Sequence, residues 1–502
     1  MFPPGSIMPQ VMLPGPLELT LRRMNPWWTG DALPVLPPHR RHLVGQIHRR
    51  LANRLAPIVV VRGARQIGKT TSQLHVLSDL LDRGVPGRRI LRVQFDDIGA
   101  LDDIGADPIL RLVDWFEGAM LGKSLNRSAQ DGEPTYLFFD EVQNLAQWAP
   151  QLKSLVDTST TQVVVTGSSA LRIELGRDSL AGRISTIEAG VLSLTEIGAL
   201  RGLDLGSPFL DDNGLTPLAS IEFWRRLAAH GRERAAPRDA SFSHFSSRGG
   251  YPLGHANPGV AWEQLADQLN ENVIRRVIQH DLRVGERGRR RDAALLEELF
   301  RIVCRYIGQA PTVHSLADEA RRVFGANLGD QRVRQYVKFL ADALLVRTIE
   351  PLEIRLKKKR GSPKLCLVDH ALRASWLQEI VPLVPAELAG QAVLSTLAGH
   401  VAESTVGAVL ATIGGLDLSY LPERRGEPEL DFVMTIGTRR IPIEVKYQAT
   451  LDPVRDPAGL MAFIQRDVNQ ANFGLLITRE DDTRDFGPQI VALPLSSLML
   501  LR

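Results

Sequence analysis

Gly63-Ala64-Arg65-Gln66-Ile67-Gly68-Lys69-Thr70 places two glycines, a lysine and a hydroxyl at the spacing of a phosphate-binding loop. Glycines let successive backbone N–H groups close around phosphate oxygens. Lys69 would reach the β- and γ-phosphates, and the Thr70 hydroxyl would bind Mg²⁺. Thr71 completes the candidate nucleotide contacts and opens a helical pattern. Downstream, Tyr136-Leu137-Phe138-Phe139 is an apolar run that ends in Asp140-Glu141. Asp140 would hold the Mg²⁺ through water, and Glu141 would orient and deprotonate an attacking water. The run Val163-Val164-Val165 ends in Thr166-Gly167-Ser168-Ser169, where Thr166 or Ser168 would sense the γ-phosphate or simply close a turn. Arg183 reads either as an arginine finger aimed at a neighbouring subunit's nucleotide or as a surface arginine. Arg248, beside Gly249-Gly250, reads either as an arginine contacting the nucleotide from the helical subdomain or as an ordinary structural arginine. The chemistry expected of this set is hydrolysis of ATP with Mg²⁺ as cofactor.

A second constellation lies near the C-terminus. Asp431 and then Glu444-Val445-Lys446 spell the Asp…Glu-x-Lys core of the PD-(D/E)xK nuclease fold, with Glu403 on the preceding helix. In an extended strand Glu444 and Lys446 share one face. Carboxylates converging there would bind Mg²⁺, and Lys446 would orient or deprotonate a water for phosphodiester cleavage. The Glu-x-Lys spelling also fits an ordinary charged strand face, and Pro428-Glu429 stands in inverted order relative to the Pro-Asp that names the motif. A third group is basic. Gln331, Arg332, Arg334, Gln335 and Lys338 fall opposite the apolar face of a helix, and Lys357-Lys358-Lys359-Arg360 occupies a turn. That mix suits contact with duplex DNA phosphates and base edges, or a solvated protein surface. Arg287 and Arg289 to Arg291 would add phosphate contacts sensitive to salt.

The elements that must position these residues follow from pattern. Continuous apolar runs at 58–61, 90–95, 136–139 and 163–165 alternate with amphipathic stretches, which predicts a parallel sheet covered on both faces over 36–205. Residues 1–35, proline-rich with a Trp27-Trp28 pair, read as an extended N-terminal arm. Residues 206–291 read as a helical subdomain. Three helices and a hairpin over 292–375, the first near 293–308 and the third near 331–345, describe a winged helix-turn-helix. A last α/β unit spans 390–502. At 502 residues the chain exceeds what one core supports. No uninterrupted apolar run reaches membrane-spanning length, the start lacks a secretory pattern, and there are only two cysteines, so a cytoplasmic protein with no membrane partner is expected. A net charge of +3 carries no argument for nucleic acid by itself.

The loop at 63–70, Phe139-Asp140-Glu141-Val142-Gln143, Thr166 to Ser169 and Ser179-Leu180-Ala181-Gly182-Arg183 together resemble a bacterial and archaeal AAA+ ATPase family. The resemblance covers the chain from about residue 25 onward. It implies an ATPase core, a winged helix and a restriction-endonuclease-like C-terminal domain, and a homo-oligomer, normally a hexameric ring. The function this suggests is an ATP-dependent motor or remodeller of duplex or branched DNA. The alternative is an ATP-driven assembly switch with the C-terminal domain as effector.

Overall fold

The computed structural model describes residues 12–96, 105–145, 147–168, 178–210, 214–278, 292–325, 328–353, 361–423 and 429–502. The chain divides into two compact units, Met1–Ala64 with Gly68–Ala189, and Arg65–Ile67 with Gly190–Arg502.

The first unit is built on a parallel sheet. Strands β1 (Ile58–Gly63), β2 (Ile90–Gln94), β3 (Tyr136–Asp140), β4 (Gln162–Gly167) and β5 (Ile184–Ala189) lie in the order β2-β3-β4-β1-β5. The residues of β1 to β4 are almost continuously buried because helices cover the sheet, as the unbroken Val and Phe runs anticipate. All strands point the same way, so the residues that follow β1, β3 and β4 gather at one end of the sheet.

The N-terminal segment is not extended throughout. Helix α1 (Gly15–Met24) forms because Pro16 suits a first helical turn and because Leu17 and Leu21, one turn apart, are both buried. The chain then turns through Pro26–Trp28 against β2. The buried Asn25 side chain accepts from Arg92 N at 2.7 Å and donates to Arg92 O and Leu21 O, each at 2.8 Å. Both tryptophans donate their indole N–H to Ile90 O, and Trp28 also packs on Trp115 and Phe116. The Trp27-Trp28 pair therefore serves packing within this unit.

The second unit begins with helices, including Leu194–Leu200, Ile221–Glu233 and Ala235–Arg248. Helices α2 (Ala293–Arg305), α3 (Val313–Phe324) and α4 (Asp330–Asp342) pack on one another and lead into strands β6 (Val346–Pro351) and β7 (Lys364–Leu367), an antiparallel pair. The start of α3 is capped by Thr312, whose hydroxyl accepts from Ser315 N. Asp330 is the first helical residue of α4, and Gly329 is its cap. Strands β8 (Asp417–Leu421), β9 (Leu430–Ile436), β10 (Arg439–Lys446), β11 (Gly474–Thr478) and β12 (Ile490–Pro494) complete the unit. Among the described residues these form one sheet with β6 and β7, in the order β12-β11-β10-β9-β8-β6-β7. The sequence reading draws a boundary between 375 and 390, yet strands from both sides share this sheet, because β6 offers its second edge to β8. Such an edge-to-edge junction leaves no trace in local periodicity.

Helix α5 (Ser395–Ala411) packs against β6, β7 and β10. With the turn before it, Ala392–Ala411 is long and apolar enough to cross a membrane by length and composition. Its buried Val401, Ser404, Thr405 and Leu410 and its strand contacts make it a core helix of this unit.

Candidate functional sites

The phosphate loop leaves β1 and turns through two residues with left-handed backbone, Gln66 (φ 61°) and Gly68 (φ 87°). A Cβ at Gly68 would be strained, which is why glycine stands there. A helix (Lys69–Asp82) starts directly after it, so the unpaired N–H groups of its first turn face the loop. Lys69, almost fully buried, donates from Nζ to Gly63 O at 2.9 Å and Ala64 O at 2.7 Å, which holds the ammonium across the loop mouth. Thr70 Oγ1 donates to Asp140 Oδ2 at 2.8 Å, and Thr166 Oγ1 donates to Asp140 Oδ1. A carboxylate flanked by two neutral hydroxyls is an oxygen donor set that fits Mg²⁺. Glu141 follows in left-handed backbone (φ 51°), and its Oε2 accepts from Ser168 Oγ at 2.8 Å and from Gln143 Nε2.

The C-terminal constellation also converges, but around a cation. Lys364, on β7, is 2% exposed and donates from Nζ to Glu403 Oε1 and, at 3.3 Å, to Asp431 Oδ1. The ammonium sits 5.3 Å from the Tyr420 ring centre and 5.1 Å from that of Phe432. Asp431 Oδ2 accepts from Val445 N at 2.8 Å, and Glu444 Oε1 accepts from Lys446 Nζ at 2.6 Å. Burial works against the Lys364 ammonium, but Asp431 and Glu403 outweigh it and hold its pKa above the usual lysine value. Burial, then the charge of Asp431, pushes Glu403 up and brings Glu444 to about 7, with the lysines offsetting only part.

Residues 55–198 match the AAA domain family (AAA_14). The matched segment is a P-loop AAA domain. ATP with Mg²⁺ is its cofactor pair. Residues 240–382 and 398–498 of the ATPase match two domains of unknown function, DUF8612 and DUF4143. An uncharacterized protein of Mycobacterium tuberculosis is 25% identical to the ATPase over 338 residues, 66% of this chain and 58% of the relative. The Mycobacterium bovis protein gives the same values. An uncharacterized Haemophilus influenzae protein is 21% identical over 321 residues, 63% of this chain and 68% of its own. The ATPase therefore spans less than two thirds of the mycobacterial relatives. Among solved structures, a Walker-type ATPase of Pyrococcus abyssi covers 68% of this chain and 99% of its own, at 13% identity and a TM-score of 0.40. A signal-transduction ATPase with a tetratricopeptide-repeat sensor, from Pyrococcus horikoshii, covers 78% of this chain and 50% of its own, at 12% identity and a TM-score of 0.25.

The remaining site expectations for the ATPase divide. Arg183 precedes β5 level with the start of β1, since Ile58 pairs with Ile184 and Ile58 N donates to Arg183 O. It is therefore at the end of the sheet away from the phosphate loop, about 20 Å along the six-residue strand. There it is paired with Asp157. Arg248 donates to the backbone carbonyls of Gly254, Pro258 and Val260. Arg332, Arg334 and Lys338 are exposed on one face of α4, opposite the buried Val333, Tyr336, Val337 and Leu340. Lys357, Lys358, Lys359, Arg360, Arg287, Arg289, Arg290, Arg291 and Ser169 lie outside the described residues. Glu403, Asp431 and Glu444 were expected to hold Mg²⁺. The structure gathers them on lysines instead, and among the described residues no group of three or more carboxylate, histidine or cysteine side chains is arranged to hold a metal ion.

Two residues of these sites escaped the sequence reading. Arg92 on β2 is buried and reaches Asp140 Oδ2 at 3.3 Å, Gln73 Oε1 at 3.2 Å and Gln94 Oε1 at 2.8 Å. Lys364 is the other. Both carry the same signal: a single cationic residue inside a short apolar strand, Ile90-Leu91-Arg92-Val93 and Lys364-Leu365-Cys366-Leu367. A buried charge demands a buried partner.

Proposed function

We propose that this ATPase acts on duplex or branched DNA, with turnover at the phosphate site coupled to DNA held by the segment 292–375, read as a winged helix-turn-helix. The observation that carries this reading is the α4 face. Gln331, Arg332, Arg334, Gln335 and Lys338 all point to solvent on the third helix of a three-helix and hairpin arrangement. That is the place and the residue mix by which such a module enters a major groove. In the ATPase cycle, Lys69 exchanges its loop carbonyls for β- and γ-phosphate oxygens. Thr70 and Asp140 would hold Mg²⁺, which would supply charge neutralisation at the phosphates, and Glu141 would accept the proton of the attacking water while Thr166 and Ser168 fix the two acids. The protein works as a homo-oligomer, with a hexameric ring as the expected form. Arg183 would then act only on a neighbouring subunit's nucleotide, after leaving Asp157. The C-terminal sheet is read as a nuclease-like fold that clamps DNA.

A second reading, an ATP-driven assembly switch, is favoured by one observation. Glu141 is held by both Ser168 and Gln143, so the base must be released before it can act, which suits slow turnover. Steady-state ATPase of wild type and Glu141→Gln separates the two, measured without DNA, with linear duplex and with a four-way junction, at low and high salt. The motor reading expects strong stimulation by one DNA form that is lost at high salt and in the variant. Flat, low turnover under every condition, with oligomers formed on ATP binding, would establish the switch instead.

A further inference from the structure

On the proposed reading of the C-terminal sheet as nuclease-like, Glu403, Asp431 and Glu444 are the carboxylates that would hold a metal. We propose that Lys364 takes the place of that divalent metal, so that the C-terminal site is held together by an ammonium and binds no Mg²⁺. The geometry carries this in four steps. Lys364 Nζ lies between Glu403 and Asp431, donating to one oxygen of each. Asp431 turns its other oxygen to Val445 N at 2.8 Å, so both of its oxygens are engaged. Glu444 gives one oxygen to Lys446 Nζ and leaves Oε2 buried with no hydrogen-bond partner among the described residues, so a dication bound here would face two lysine ammoniums on the same carboxylates. Finally, Lys364 has nowhere to withdraw. Its side chain is buried between Tyr420 and Phe432, and its backbone is paired in β7 opposite Ile349.

The lysine is also well chosen for that position. An ammonium is a compact point charge with three donors, two of which go to Glu403 and Asp431 here. It comes from the hairpin strand, while the acids come from α5, β9 and β10. The cluster therefore staples the hairpin edge of the sheet to its middle, a task that a diffusible metal would perform only at sufficient concentration. Cleavage through metal-bound water at these acids does not follow from the arrangement.

Mn²⁺ is the probe, counted by electron paramagnetic resonance on the full chain without nucleotide. Wild type and Asp431→Asn are expected to bind the same number of Mn²⁺ ions. Lys364→Gln, which keeps the stem and removes the charge, is expected to bind one more, and Mn²⁺ should raise its melting temperature while leaving that of wild type unmoved. One additional Mn²⁺ on wild type relative to Asp431→Asn overturns the proposal, as does a folded Lys364→Gln that gains none. Glu444→Gln replaces Asp431→Asn if the latter does not fold. The wild-type comparison decides the matter even if Lys364→Gln is lost.

Discussion

Two acidic centres sit in this chain, and they differ in what faces the acids. Asp140 receives hydroxyls from Thr70 and Thr166, with the guanidinium of Arg92 at 3.3 Å to one side. Glu403 and Asp431 receive the ammonium of Lys364 directly between them. Hydroxyls are neutral and can remain as ligands when a dication arrives. An ammonium must leave. The same residue type, a carboxylate shielded from solvent, is thus kept ready for metal in one unit and closed to it in the other. Carboxylates alone do not define a metal site; their partners decide.

The widest separation between the centres should appear in turnover. Glu141→Gln is expected to lower ATPase on the order of 100-fold or more while ATP still binds, because a general base contributes that much. Asp431→Asn should leave turnover unchanged; equal losses in both variants would erase the distinction. Stability should separate them in the opposite sense. Lys364→Ala strands two buried carboxylates and is expected to cost about 3–5 kcal/mol in urea unfolding, the usual penalty for breaking a buried pair. A loss within the range of a surface substitution would show that the cluster is not what joins β7 to the sheet.

A smaller effect is expected at Arg92. Removing its charge beside Asp140 in Arg92→Gln should shift half-saturation of ATPase by Mg²⁺ to lower concentration, since the dication no longer shares its carboxylate with a cation. A shift to higher concentration would mean that Arg92 mainly orients Asp140. The smallest effect concerns pH. Glu444 has its pKa raised from 4.5 to about 7, so the folded state holds more protons than the unfolded chain between those values. Its contribution to stability is full below about pH 4.5 and is lost as pH rises through about 7. Urea midpoints of wild type should fall relative to Glu444→Gln across that window, and a constant difference would remove Glu444 from the account.

The phosphate site was legible in the sequence because its parts are consecutive. A loop that must run strand, glycine, lysine, hydroxyl, helix writes its geometry into eight neighbouring residues. Asp140-Glu141 is equally local, and parallel pairing of β1, β3 and β4 did the rest. Asp431, Glu444 and Lys446 were found by their strand spacing, yet the chemistry drawn from them changed once Lys364 entered from 67 residues before Asp431. Nothing in the local pattern of either segment tells that β6 will pair with β8 and bring β7 over the acids. Arg92 was hidden for a related reason, since its partner lies on the adjacent strand. The N-terminal helix was missed because many prolines suggested extension, while Leu17 and Leu21 were the stronger clue.

Asn25 has one more consequence. Strand β2 is the outer strand of its sheet, and the Asn25 amide occupies the N–H and C=O of Arg92 on the side that no strand covers. The tryptophan indoles take the next carbonyl along, at Ile90. A side-chain amide thus imitates a neighbouring strand at the point where the sheet would otherwise accept one from another molecule. A protein shortened to begin after residue 28 would keep the whole phosphate loop with Asp140 and Glu141 and would still present a bare, apolar edge. Its failure would be precipitation during expression, not inactivity.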